Sequence, residues 1–460
     1  FLGETAFITL LSILVGLGIT ELILGKVEPI IGFTPELNPL ADTQVLTFIA
    51  SIFVGITLAA GWYPARHLSG FNPIDAIRNK INSSYGQGLL LRRSLIVLQF
   101  TITQILIIGT IVISSQVKYF QNQELGFEKE AVIQIDLPGN SKTELSTLKN
   151  LLDSESSILS TSFSNTGTLH GNIWGGNYVL FDDTVRHEDD GDIKFIDEDY
   201  VETYGLTLLA GTNLVQSDTV NMFLVNETLA KQVGYGDNYD GLIGMVMTFW
   251  GNEAPIVGVV NDFNTSSLHE SLRPVVLGSR SSYHTGGIKI NTERTSEAIA
   301  GLENAFNKAY PSAIFEYVFL DDHIAEMYEE EQRFGTIMNS FSVIAILIGC
   351  LGLFGLVSYM ATTRTKEIGV RKVLGANIMD ILSIFGKELS LLLGISFIIA
   401  APISYLLMQQ WLADFAYKIE LGAGIFLLAL GGTILIAGLT VGFKTVSAAL
   451  ANPVDSLKSE

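Results

Sequence analysis

Arg364-Thr-Lys-Glu-Ile-Gly-Val-Arg-Lys-Val-Leu-Gly-Ala-Asn377 follows directly on an apolar run, residues 340–360, that is long enough to cross a bilayer. Four basic residues (Arg364, Lys366, Arg371, Lys372) and Glu367 crowd the exit of that run, punctuated by Ile368, Val370, Val373 and Leu374. The pattern is a short basic, amphipathic segment pressed against the membrane surface on the cytoplasmic side. Glu367 and Arg371 stand at i, i+4, a helix-stabilising pair, and Gly375 is a helix stop. From charge alone the segment reads equally as positive-inside topology signal with lipid headgroup contacts, or as a place where a membrane protein meets a soluble partner.

Working outward, the 460-residue chain is 48% hydrophobic with a mean hydropathy of +0.39. Six runs reach the ~20 apolar residues that span ~30 Å of hydrocarbon: residues 5–24, 45–62, 95–114, 340–360, 389–408 and 424–443. The first has no basic segment before it, carries Glu4 at its start and is too long for a signal peptide. The expected fold is an α-helical polytopic membrane protein with six spans. An α+β extracytoplasmic domain lies between the third and fourth. The domain boundaries that follow are 1–118, three membrane helices; 119–335, the outer domain in one or two lobes; and 336–460, three further helices with the basic segment 364–377.

Residues 119–333 hold 34 acidic and 12 basic residues, a net charge of −22 against −20 for the whole chain. So acidic a domain excludes nucleic acid and anionic lipid as its partners. Arg66, Arg78, Lys80, Arg92 and Arg93 lie between spans two and three, and Arg364, Lys366, Arg371, Lys372 and Lys387 between spans four and five. The opposite short loops hold only Lys26 and Lys418. The basic clusters therefore face the cytoplasm and the acidic domain faces outward. The single cysteine, Cys350, lies within span four, so the outer domain relies on its own core.

Part of the chain repeats. Phe71-Asn-Pro-Ile-Asp-Ala-Ile-Arg78 follows span two and Ala451-Asn-Pro-Val-Asp-Ser-Leu-Lys458 follows span six, while Phe1-Leu-Gly-Glu4 aligns with Phe385-Gly-Lys-Glu388 upstream. Asn72 with Pro73, and Asn452 with Pro453, end one helix and cap the next, with Asp75 and Asp455 in its first turn. A plain stop signal reads the same way. The second copy carries more upstream, so the natural protein is expected to have a preceding span and a first basic segment before Phe1.

Gly349, Gly352 and Gly355 sit at i, i+3, i+6 of span four, permitting close helix packing or simply tolerated there. Pro402 predicts a kink in span five. In the outer domain, residues 131–137, 178–181 and 255–260 read as strands, and 142–152, 226–233 and 297–309 as helices. His187-Glu-Asp-Asp-Gly-Asp192 reads as a solvated loop without calcium-loop spacing. The histidines show no metal-ligand spacing such as HExxH, so no metal site is assigned. Neither a P-loop nor any nucleophile elbow appears, and no catalytic constellation is found.

The segment Arg364–Ala376 closely resembles the hallmark of the MacB/FtsX-type (type VII) ABC transporter permease subunits. Val257-Gly-Val-Val-Asn-Asp-Phe263 with Ser267-Leu-His-Glu270 resembles that family's periplasmic core signature. Phe319-Leu-Asp-Asp322, Glu329–Glu331, Leu351-Gly-Leu-Phe-Gly-Leu356 and Trp411-Leu-Ala-Asp-Phe-Ala-Tyr417 fit the junctions with the membrane. The resemblance covers nearly the whole chain and points to a Bacteroidota-like eight-span branch, of which this chain lacks the N-terminal part.

What the resemblance implies is a chain without catalysis of its own. Arg364, Lys366, Glu367, Gly369, Arg371, Lys372 and Gly375 would form a coupling helix docking on a cytoplasmic ABC ATPase. ATP and Mg would be bound by that partner, and this chain would hold no cofactor. Movements of the outer domain, termed mechanotransmission, would drive efflux or extrusion of peptides, drugs or lipoproteins. Permease halves would pair as a homodimer or pseudo-dimer, with a periplasmic adaptor or outer-membrane partner, in the bacterial inner membrane. The alternative is an FtsX-like regulatory protein that controls a periplasmic partner such as a cell-wall hydrolase without transport.

Overall fold

Six helices carry the six apolar runs: α1 (Leu2–Ile31), α2 (Thr43–Ser69), α3 (Tyr85–Asn122), α9 (Glu329–Thr363), α10 (Ile378–Leu412) and α11 (Ala423–Leu450). All six are long and apolar enough to cross a membrane. The computed structural model describes residues 2–31, 42–69, 85–169, 174–181, 185–363, 370–371, 374–375 and 377–450. It divides into two units: residues 1–114, 331–409 and 421–460, and residues 115–330 with 410–420.

In the membrane unit, α3, α9, α10 and α11 share a core of Ile96, Phe100, Leu353, Leu356, Val357, Phe385, Leu392, Leu393, Ala437 and Val441. With lipid as apolar as these side chains, close packing and polar contacts hold the helices together. Ser396 Oγ donates to the Val97 carbonyl at 3.1 Å. Thr110 and Ser342 share a hydrogen bond of 2.9 Å. The outward apolar side chains of α1 and α2, Phe7, Leu22 and Phe48 among them, are exposed in a way that suits lipid. Helix α10 continues through Pro402.

The helices outrun the hydropathy signal. The 38 residues of α3 extend about 57 Å, well beyond ~30 Å of hydrocarbon. Their polar ends add length without apolar character, which is why the sequence reading placed the spans inside 95–114 and 340–360.

The outer unit holds two sheets. The first has four antiparallel strands, β1 (Val132–Asp136), β2 (Ile158–Ser164), β10 (Thr285–Ile290) and β11 (Tyr317–Phe319), in the order β11-β1-β10-β2. Helices α4 (Lys142–Asp153) and α7 (Thr295–Ala309) cover it. This is the β-α-β-β-α-β arrangement of ferredoxin-like folds. The i, i+3, i+7 spacing of Leu145, Leu148 and Leu152 sets one apolar stripe of α4 against Ile133, Ile135, Phe163 and Ile288.

The second lobe is inserted between β2 and β10. It comprises β3 (Gly175–Phe181), β4 (Arg186–Phe195), β5 (Leu208–Gly211), β6 (Phe223–Asn226), β7 (Val246–Phe249), β8 (Asn252–Val260) and β9 (Val275–Gly278), with the short helices α5 (Tyr200–Thr203) and α6 (Glu227–Gln232). The strand order is β5-β8-β6-β9-β4-β3-β7, and β7 pairs again with β8, closing six strands into a barrel. Tyr178, Phe195, Phe223, Phe249, Ile256 and Val259 fill it. A final short helix, α8 (Leu320–Glu326), leads from β11 to α9.

Two sequence readings change here. The acid-rich stretch 187–192 is not a loop but part of β4, paired with β3 from Gly175↔Asp192 to Phe181↔Arg186. Its outward acids stay solvated while Asp192 is buried, and backbone pairing across the hairpin outweighs the low strand propensity of Asp. The segment 410–420, which the reading left within 336–460, groups with the outer unit. Hydropathy could not separate it from the flanking spans, because it is short and aromatic.

Candidate functional site

The end of the membrane unit that carries the basic segment is organised by α3. Arg93 Nε donates to Glu388 Oε1 of α10 at 2.8 Å. Arg92 lies over the Tyr359 ring of α9 at 4.0 Å. Tyr359 precedes the segment 364–377 and Glu388 follows it, so α3 holds both flanks of that connection. The sequence reading treated Arg92 and Arg93 only as topology markers.

Within the connection, the Leu374 N–H donates to the Val370 carbonyl at 3.0 Å, and Gly375 follows with φ +94°. A non-glycine residue is strained at that angle, so glycine suits the position that closes this turn. Asn377 then begins α10, its N–H donating to Asp380 Oδ2 at 2.8 Å, half of a capping box. Arg371, Val370 and Leu374 are exposed. Arg364, Lys366, Glu367, Gly369 and Lys372 lie outside the described residues. So do Asn72, Pro73, Asp75, Asn452, Pro453 and Asp455.

Of Gly349, Gly352 and Gly355 in α9, two face α3. A Cβ at Gly352 would stand 2.7 Å from Gln99 Oε1, and one at Gly349 would touch Phe100 at 3.4 Å. Gly355 faces open space.

In the outer unit, one loop grips three chain segments. Phe120 of α3 stacks on Tyr328 at 4.7 Å and packs against Phe415 at 5.4 Å. His269 meets Phe415 at 4.8 Å and Tyr328 at 6.1 Å. The main chain joins in. The Leu268 N–H donates to the Tyr328 hydroxyl at 3.0 Å, and the Ala416 and Tyr417 N–H groups donate to the carbonyls of His269 and Leu268 at 3.0 and 3.3 Å.

Gln116, fully buried, completes the grip. Its Nε2 donates to the Tyr417 carbonyl at 2.8 Å and its Oε1 accepts from the Ile419 N–H at 2.9 Å. This aromatic collar thus ties α3, the residue leading into α9, and the α10–α11 connection to residues 267–269. So dense a cluster passes displacement on rather than absorbing it.

The loop is itself anchored in the barrel. Asn226 caps α6, accepting from the Leu229 N–H at 3.1 Å. Its Nδ2 donates to Asp262 Oδ1 at 3.0 Å and to the Arg273 carbonyl at 2.9 Å. Asn261 Nδ2 donates to the Gly126 carbonyl at 2.8 Å. Gly126, at φ +82°, approaches so closely that a Cβ would lie 2.1 Å from the Asp262 carbonyl oxygen. Residues 257–263 and 267–270, singled out by resemblance, are therefore the anchor and the jaw of the collar.

Two buried charges mark the seam between the lobes. Asp197 accepts from Ser162 Oγ at 2.6 Å and from the Phe163 N–H at 2.8 Å, across to β2. Burial pushes its carboxyl up to about 6, against the pull of the Ser162 hydrogen bond and the charge of Lys149. Lys194 donates to the Gly167 carbonyl at 2.8 Å. Burial pushes its ammonium down to about 7, with Asp192 opposing. Neither was foreseen, because burial of a single charge leaves no mark in the sequence. Among the described residues no group of three or more His, Cys, Asp or Glu side chains is placed to hold a metal.

Six membrane helices, an outer domain between the third and fourth, and a basic connection between α9 and α10 define a multi-pass membrane protein. Residues 339–453 match the FtsX-like permease C-terminal family. It is 27% identical over 241 residues to the macrolide export ATP-binding/permease protein MacB of Mannheimia succiniciproducens, covering 48% of this chain and 36% of that protein. It is 23% identical over 296 residues to the uncharacterized ABC transporter permease YknZ of Bacillus subtilis, covering 60% of this chain and 72% of that one. The periplasmic region of MacB from Actinobacillus actinomycetemcomitans aligns with 45% of this chain and 97% of its own, at 16% identity and a TM-score of 0.32. The matched part of this chain thus spans little more than a third of the Mannheimia relative.

Proposed function

We propose that this chain is the permease subunit that couples a cytoplasmic ATPase to movements of its outer domain across the bacterial inner membrane, for efflux or extrusion. The observation that carries this reading is the connection between α9 and α10. Its sequence is basic, Gly375 at φ +94° closes the turn that begins at Val370, and α3 fastens both flanks through Arg92 and Arg93. An ATPase pressing on residues 364–377 moves α9 and α10 together with α3. Helix α3 also contributes Phe120 and Gln116 to the collar, so it is the natural carrier of the stroke. ATP and Mg belong to the partner, while export by the ATP-binding/permease protein MacB supplies the model for substrate movement. Pairing of two permease halves and recruitment of a periplasmic adaptor are part of the same proposal.

The test is co-purification. Wild-type chain should bring down an ABC ATPase, and Arg371→Glu with Lys372→Glu should abolish that association while the chain still inserts in the membrane. Unaltered association would remove the coupling role from this segment.

A further inference from the structure

We propose that one ridge of α1 is a docking surface for a further membrane helix, one that runs parallel to α1 and sets an arginine against Glu4. The repeat exposes it. Extending the match of residues 1–4 with residues 385–388 without a gap pairs Glu4 with Glu388, Ile8 with Leu392, Ser12 with Ser396, Gly16 with Ala400 and Thr20 with Ser404. Two of these pairs are identical and the other three conserve size and polarity. Helices α1 and α10 thus carry the same ridge, one residue in every four. On α10 it is covered: Leu392 is 5% exposed, Ser396, Ala400 and Ser404 at most 1%, and the Glu388 side chain 14%. On α1 all five counterparts are exposed. Helix α2 meets a different side of α1, where a Cβ at Gly61 would lie 2.9 Å from Leu2 and 3.2 Å from Thr5.

The covered copy shows what the open one takes. On α10 the occupant is α3. Arg93 donates to Glu388, the Val97 carbonyl accepts from Ser396 Oγ, and Thr101 Oγ1 donates to the Ser396 carbonyl at 3.4 Å. These groups stand at i, i+4 and i+8 of one helix, and their partners ascend α10 in the same direction. A helix of that kind on α1 would set its arginine against Glu4 and a main-chain carbonyl against Ser12. A guanidinium answers the Glu4 charge as lipid tails do not. Gly16, Ser12 and Thr20 are the small and hydroxyl residues that let membrane helices approach closely. The α3 of a second copy does not fit, because its own α10 already holds Arg93 and Val97. Occupation of the ridge requires no ATPase.

Binding is measured by fluorescence anisotropy on the full chain in detergent micelles. The probe is a labelled synthetic peptide of residues 85–122, which carries the arginine in the required register, while the chain's own α3 keeps the α10 ridge filled. The peptide should bind saturably, one per chain. Glu4→Arg should weaken it at least about tenfold, the worth of one charge-assisted hydrogen bond. A peptide with Arg93→Glu should bind the Glu4→Arg chain at least about tenfold more tightly than it binds the wild type. Gly16→Leu, which blocks close approach, should also weaken the unaltered peptide, whereas Gly18→Leu, off the ridge, should not. Positions 4, 16 and 18 are exposed, so these substitutions leave the fold intact. Absence of saturable binding by the wild type, binding unmoved by Glu4→Arg or Gly16→Leu, or failure of the charge-reversed pair would overturn the proposal. Self-association of the full chain that Glu4→Arg abolishes, without peptide binding, would overturn it in favour of a second copy on the ridge.

Discussion

Replacing Gln116 with Leu should release the α10–α11 connection from the outer domain without unfolding either. The side chain is fully buried and makes two hydrogen bonds to main chain, with the Tyr417 carbonyl and the Ile419 N–H. Leucine fills a similar volume and satisfies neither. Each of the two orphaned buried groups costs about 1–3 kcal/mol, so the grip loses about 2–6 kcal/mol in all. At 1.4 kcal/mol per factor of ten, local opening becomes about 30- to 20,000-fold more frequent. Hydrogen exchange on the full chain reads this directly. The informative amides are Ala416 and Tyr417, whose acceptors, the His269 and Leu268 carbonyls, the substitution does not touch. Their exchange should accelerate together with that of Ile419, while amides of β6 stay protected. Faster exchange at Ile419 alone would mean that Gln116 makes one local bond and that the collar is not a cooperative unit. In the proposed function the same variant should leave ATPase association intact and lose transport.

Two further predictions concern the seam. Asp197 has a folded pKa near 6, above its ordinary 3.8, so the folded state holds the proton more tightly. Stability is then highest below about pH 4, falls as pH rises through about 6, and is lower by about 3 kcal/mol beyond it. Asp197→Asn can accept from the Phe163 N–H and donate to Ser162 Oγ. It should raise the melting temperature relative to wild type at pH 7.5 and leave no advantage at pH 4, read by calorimetry; a variant less stable at pH 7.5 contradicts the assignment. Lys194, held near 7 against 10.5 when unfolded, takes up a proton on unfolding between those values, so stability should climb with pH across that window. Lys194→Met should lower the slope of unfolding free energy by up to about 1.4 kcal/mol per pH unit in urea titrations, and parallel slopes for the two proteins refute it.

The sequence by itself determined the membrane architecture, because the energy of placing side chains in hydrocarbon is additive along a helix and needs no tertiary partner. Six apolar runs became six helices, and the acidity of residues 119–333 separated the outer domain from them. The short-range signals of the connection were legible for the same reason: Gly375 stops a helix by its own backbone freedom.

The tertiary structure alone decided which side chains brace the connection and build the collar. Arg92 and Arg93 look like any positive-inside pair until their partners, Tyr359 and Glu388, appear 267 and 295 residues away. Gln116 reads as one polar residue at the end of an apolar run, and its meaning depends on Tyr417 and Ile419. The acids of 187–192 looked like a loop because local propensity cannot see the β3 hairpin. Asp197 and Lys194 titrate out of place because the fold buries them. Hydropathy and propensity are properties of neighbours in the chain, whereas gripping, pairing and desolvation are properties of neighbours in space.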